Sequence, residues 1–174
     1  LCDCLPSRDD YSVELVSGQA HNCDIVVRRL GHADVRIEAK AHGEGTGEKV
    51  RAKEVLRFQN DLLGLRSHGI FVSLHSGIVG KGEVEIEQLV NGRFAVYLSN
   101  NGYDVASIQS MLQLLYRLDR IAGSSKGGNG GDGGGDGDES LRVPHEAMQR
   151  VQLHLRDFGS KVQRTRMHLK DSLA

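Results

Sequence analysis

Gly69-Ile-Phe-Val-Ser-Leu74 is a nearly unbroken apolar run. A strand with one wet face alternates apolar and polar side chains, so a run without alternation implies a strand covered on both faces. Covering both faces takes helices, and an amphipathic pattern stands on either side of the run. Glu48 to Ser67 carries Val50, Val55, Leu56, Phe58, Leu62, Leu63 and Leu65 as an apolar stripe, with Lys49, Arg51, Lys53, Arg57 and Gln59 opposite. Thr46 is placed to cap that helix. From Tyr103 or Asp104 to about Ala122, the residues Ile108, Met111, Leu112, Leu115, Leu118 and Ile121 fall on one helical face. The expected fold is therefore α/β, with a mixed central β-sheet flanked by helices.

Hairpins supply the rest of the sheet. Two β-rich runs, 23–30 and 34–41, flank a turn at Gly31-His32. A second pair, 83–90 and 93–99, surrounds Asn91-Gly92, the signal for a type I′ turn. Residues 9–20 stay open between strand and helix. Tyr11, Val13 and Leu15 alternate, while Tyr11, Leu15 and Val16 suit a helix, and so short a segment does not decide.

Composition breaks after Ala122. Residues 123–138 are almost wholly Gly, Ser, Asp and Asn, too polar to offset their ordering entropy. The expected organisation is a core domain over 1–122, a disordered glycine-rich linker over 123–141, and a basic amphipathic helix over 142–174 opening at Pro144. Met148, Val151, Leu155, Phe158, Val162, Thr165 and Leu169 recur at alternating spacings of three and four, a coiled-coil-like seam. Such a seam is expected to form a homo-oligomer or dock a partner helix, with packing on its own domain as the alternative.

The net charge of -1 excludes a global basic footprint, so nucleic-acid binding would need a local basic face. No apolar run approaches the roughly 20 residues that span a bilayer, and no signal-peptide apolar region is visible near Leu1. An intracellular protein, nuclear or cytoplasmic, without membrane attachment is expected. The chain begins at Leu1 rather than Met, as a fragment or processed product would. Cys2, Cys4, His21 and Cys23 are zinc-type donors, but Cys-x-Cys is tighter than the usual structural pairs. The three cysteines read as reduced, incidental thiols.

The chemistry concentrates in residues 24–40. Glu38 and Lys40 are two apart on a strand, so they share a face. The hairpin can return Asp24 beside them. Two carboxylates can hold a hard divalent cation that keeps several of its waters, as Mg²⁺ does. This constellation, Asp24 followed by Glu38-Ala39-Lys40, resembles the PD-(D/E)xK nuclease superfamily. The order of a short segment, hairpin, motif, long helix, strand and final helix resembles it too, although no Pro precedes Asp24. The resemblance implies a restriction-endonuclease-like core and a nuclease hydrolysing phosphodiester bonds of DNA, or of RNA, with Mg²⁺ or Mn²⁺. It implies Asp24, Glu38 and the Ala39 carbonyl as metal ligands and Lys40 as the catalytic lysine. It further implies an acid on a first helix, for which Glu14 is the candidate. A polar residue on the helix after the motif is also implied, with Gln59 chosen ahead of Lys53 and Glu54. The loop from Ser73 to Lys81 lacks the P-loop pattern and reads as a glycine-rich connection, with Ser76 and Lys81 available to a DNA backbone. The rival reading is a non-catalytic interaction module assembling through the C-terminal helix.

Overall fold

The computed structural model describes residues 11–16, 23–42, 48–124, 146 and 149–153. Cys2, Cys4, His21, Thr46, linker residues 125–141 and most of the C-terminal seam lie outside them. The described chain is a mixed α/β fold. It runs β1 (Tyr11–Leu15), β2 (Ile25–Arg29), β3 (Val35–Lys40), α1 (Ala52–Leu65), β4 (His68–Ser73), β5 (Val84–Gln88), β6 (Phe94–Leu98) and α2 (Val105–Ser124). The open sheet is six-stranded, in the order β1-β2-β3-β4-β6-β5. β3, β4 and β6 run parallel at its centre, with antiparallel β1 and β2 on one side and β5 on the other.

The unbroken apolar run is β4, and all six of its residues are buried. Alternate side chains go to opposite layers. Ile70 and Val72 join Val96, Leu98 and the α2 residues Met111, Leu112 and Leu115. Phe71 joins Tyr97 and the α1 residues Phe58 and Leu62. Leu56, Leu65 and Ile121, expected on the apolar faces, are exposed instead.

Gly69 is required by the closeness of α1. A Cβ built there would lie 2.4 Å from Phe58 Cζ and 2.5 Å from Leu62 Cδ1. Both neighbours are buried, and the phenyl ring is rigid. Gly69→Ala should therefore cost about 1–3 kcal/mol through overpacking, read as a lower urea midpoint at unchanged m-value.

One open reading is settled and two local expectations change. Residues 11–15 form a strand. Helix α1 begins at Ala52 rather than Glu48, because Val50 is drawn into a parallel bridge with Ile78. The Val50 N–H donates to the Gly77 carbonyl at 2.9 Å, which keeps the chain extended through Arg51. The β5–β6 turn is not type I′, since that turn needs positive φ at both central residues. Only Gly92 has it, at 78°, after a turn closed by Gly92 N–H on the Leu89 carbonyl.

Helix α2 is capped by Asp104, whose carboxylate accepts from the Ser107 N–H at 3.2 Å. It continues to Ser124, past the expected boundary at Ala122. Residues 149–153 are helical, and Val151 packs against the α2-side core. The Gln152 amide donates to the Ile86 carbonyl of edge strand β5 at 3.1 Å. This described part of the seam thus packs on its own domain; Met148 and the seam from Leu155 onward lie outside the described residues. No described helix is long and apolar enough to cross a membrane.

Candidate active site

Asp24 immediately precedes β2 and is tied to β3 at two points. Its N–H donates to the Ile37 carbonyl at 3.0 Å. Its carboxylate Oδ2 accepts the Ala39 N–H at 2.8 Å. Ala39 lies between Glu38 and Lys40, so the Asp24 carboxylate meets the backbone of the Glu-x-Lys segment. A strand residue sends its N–H and C=O to the same edge. The Ala39 carbonyl is therefore turned toward Asp24.

Glu38 and Lys40 project toward α1, opposite to Ile37. The Lys40 ammonium lies 2.5 Å from Glu38 Oε1 and 4.0 Å from Glu54 Oε2. His42 Nε2 is 3.5 Å from the same Glu54 carboxylate. Glu38, Lys40 and Glu54 open onto a cleft of about 350 Å³ between the sheet and α1. Glu54, Phe58 and Asp61 form its α1 wall, with Lys53 and Arg57 at the helix side of the rim. Phe58 belongs to the core, so the face that carries it turns Glu54 and Asp61 inward as well. The buried Cys23 thiol senses this acidic surrounding. Burial first, then the negative charge of Glu38, pushes its pKa up to about 12.

The sequence-derived site is therefore partly assembled. Glu38 and Lys40 pair and line the cleft, while Asp24 reaches the Ala39 backbone between them and is not part of the cleft lining. Glu14 lies on β1, not on a helix, and pairs with Arg28 at 2.6 Å. Gln59 leaves α1 on another flank and donates to Tyr97 Oη at 2.9 Å and to Glu87. Glu54, ranked behind Gln59, faces the cleft. Asp61 and Arg57 were not singled out from the sequence. The signal was available in the spacing of Glu54, Phe58 and Asp61 at i, i+4 and i+7, which puts two acids on the buried helical face.

In the Ser73–Lys81 loop, Lys81 is consumed internally. Its ammonium binds Glu85 at 3.1 Å and Glu87 at 2.5 Å, and sits 4.1 Å from the Tyr97 ring centre. Burial pulls its pKa down, but the two glutamates outweigh that and the net shift is upward. The Ser76 and Ser73 hydroxyls are both buried and bond to each other at 3.1 Å.

Among the described residues, no three His, Cys, Asp or Glu side chains converge as a ready metal cage. The donors at hand are hard oxygens, two of them anionic. That set suits Mg²⁺ or Mn²⁺, which accept one or two carboxylates and complete their coordination with water and substrate. No family model, no curated protein and no solved structure matches this chain.

Proposed function

We propose that the domain is a metal-dependent nuclease that hydrolyses phosphodiester bonds of DNA in the cleft between β3 and α1. The observation that carries this reading is the contact of the Asp24 carboxylate with Ala39, inside the Glu38-Ala39-Lys40 motif. Support comes also from the order of elements, with the β2–β3 hairpin followed by α1, then β4 parallel to β3. That order is the one expected of a PD-(D/E)xK nuclease, with a restriction-endonuclease-like core.

Asp24, Glu38 and the Ala39 carbonyl would hold Mg²⁺ or Mn²⁺, which supplies charge to polarise the scissile phosphate. The remaining work falls to side chains of the cleft. Lys40 neutralises Glu38; a cation sharing that charge would leave the ammonium free to orient a water or a phosphate oxygen. Glu54, 4.0 Å from the Lys40 ammonium, would help to hold it in place. Lys53 and Arg57 bring positive charge to the rim of an otherwise acidic cleft, where a phosphate backbone would pass.

Calorimetric titration with Mn²⁺ tests the binding step. The wild type should bind, and Glu38→Gln should bind at least about tenfold more weakly. Removing an anionic ligand should exceed the tenfold loss seen on removing hydrogen-bonded outer partners. No binding by the wild type, or equal binding by both, would contradict the reading. The weight would then move to an interaction module built on the C-terminal helix.

A further inference from the structure

The described aromatics are buried or half-buried, with one exception. Tyr103 is 64% exposed. Its backbone is also out of place, at φ 62° in the left-handed region. A bulky side chain there costs on the order of 1 kcal/mol or more, and such strain collects at functional positions. The ring is not loose. His75 lies against it edge-on at 5.4 Å between centres, with Nε2 3.3 Å from Tyr103 Oη.

This pair stands at the same end of the sheet as Lys40. The Leu74 N–H donates to the Lys40 carbonyl at 2.8 Å, and the Gly102 N–H donates to the Leu74 carbonyl at 2.9 Å. His75 and Tyr103 each follow directly on this chain of hydrogen bonds. Both lie beyond the carboxyl ends of parallel strands, where ligands of open α/β sheets collect. An exposed ring braced by a neighbour, at the same end of the sheet as a cleft with Lys53 and Arg57 on its lining, has the two components of a single-strand binding surface. The cations track phosphates, and an aromatic face stacks a base without regard to its identity.

We infer that Tyr103, braced by His75, is a stacking platform for an unpaired base, and that the substrate strand is single-stranded DNA. A duplex keeps its bases stacked inside and offers no face to the ring. The inference rests on the nuclease reading of the Lys40 end, and it names that site's substrate class.

The test is fluorescence anisotropy of a labelled oligothymidylate and of an abasic strand of equal length, in chelator so that nothing is cut. The wild type should prefer the strand with bases. Tyr103→Gly should lose that preference, and its affinity for oligothymidylate should fall about 5- to 100-fold, the equivalent of one stacked base. Glycine accepts the left-handed backbone, so this variant should be at least as thermally stable as the wild type. Tyr103→Phe keeps the ring and should bind within a few-fold of the wild type. Equal binding by wild type and Tyr103→Gly, or no discrimination against the abasic strand by the wild type, would overturn the inference. Cleavage with Mg²⁺ separates the two claims. Lys40-dependent cutting with no effect of Tyr103→Gly on binding sinks the platform alone. Base-dependent binding lost in Tyr103→Gly, with no cutting by the wild type, supports the platform and sinks the nuclease.

Discussion

Asp119→Ala should destabilise the domain by about 3–5 kcal/mol, the cost of removing one partner from a buried charged network. Asp119 lies on α2 with a side chain only 14% exposed. Its Oδ1 accepts from His68 Nε2 at 3.1 Å and from Arg93 at 2.8 Å. Its Oδ2 accepts from the Ala33 N–H at 3.1 Å and lies 3.2 Å from His32 Nδ1. One carboxylate thus ties α2 to the β2–β3 connection, to the start of β4 and to the start of β6. The His68 ring is almost wholly buried, and its Nδ1 accepts the Phe94 N–H at 3.1 Å. That acceptor role assigns the neutral tautomer with the proton on Nε2.

The network gives stability a pH dependence of definite sign. Burial lowers the His68 pKa despite Asp119, so between its folded and unfolded values the unfolded chain binds more protons. Its contribution is complete above about pH 6.5, the ordinary histidine value, and is lost as pH falls below it. Burial would raise the Asp119 pKa, but its hydrogen bonds from His68 and Ala33 outweigh this and hold it well below the usual carboxylate range. That contribution is lost further down, below about pH 4. Cys23 works in the opposite direction. With its pKa raised to about 12, its contribution declines once the pH exceeds about 8.5, where the unfolded thiol ionises. Urea midpoints across pH should form a plateau between these limbs, and Asp119→Ala should lower the plateau and weaken the acid limb. An unchanged midpoint in Asp119→Ala would show that the clamp contributes nothing.

Lys40→Ala should reduce cleavage by about 10²- to 10³-fold, the range for removing one positioned electrostatic donor, while leaving the fold intact. The side chain is a quarter exposed, and its partners Glu38 and Glu54 also reach the cleft, so its removal leaves no fully buried charge alone. Lys40→Arg should not restore activity. A planar guanidinium is wider than an ammonium and presents its donors in a rigid fork rather than as a compact point charge, so it would not place the water or phosphate oxygen in the same way. If Lys40→Ala instead melted at a much lower temperature, its pairing with Glu38 and Glu54 would be structural.

The sheet was legible because its signals are local. The unbroken run at 69–74 marks a doubly covered strand, and β4 lies at the centre of the sheet. The Asp24 and Glu38-Ala39-Lys40 grouping was legible because a hairpin brings near neighbours together. What could not be read depends on contacts distant in sequence. The start of α1 is set by the Val50–Ile78 bridge. The rotation of α1 about its axis is set where Phe58 and Leu62 settle over Gly69. That rotation decides that Glu54 and Asp61 meet the cleft while Gln59 meets Glu87. The Asp119 clamp joins residues from four separate parts of the chain, none of which forms a motif with its neighbours.

The most direct measurement is cleavage of linear, nicked, branched and single-stranded DNA with Mg²⁺ or Mn²⁺, run beside Lys40→Ala. Metal-dependent cutting, strongest on the single strand and lost in the variant, is the expected result. No cutting of any substrate by the wild type, or equal cutting by both proteins, would contradict the assignment of Asp24, Glu38 and Lys40 as a nuclease centre.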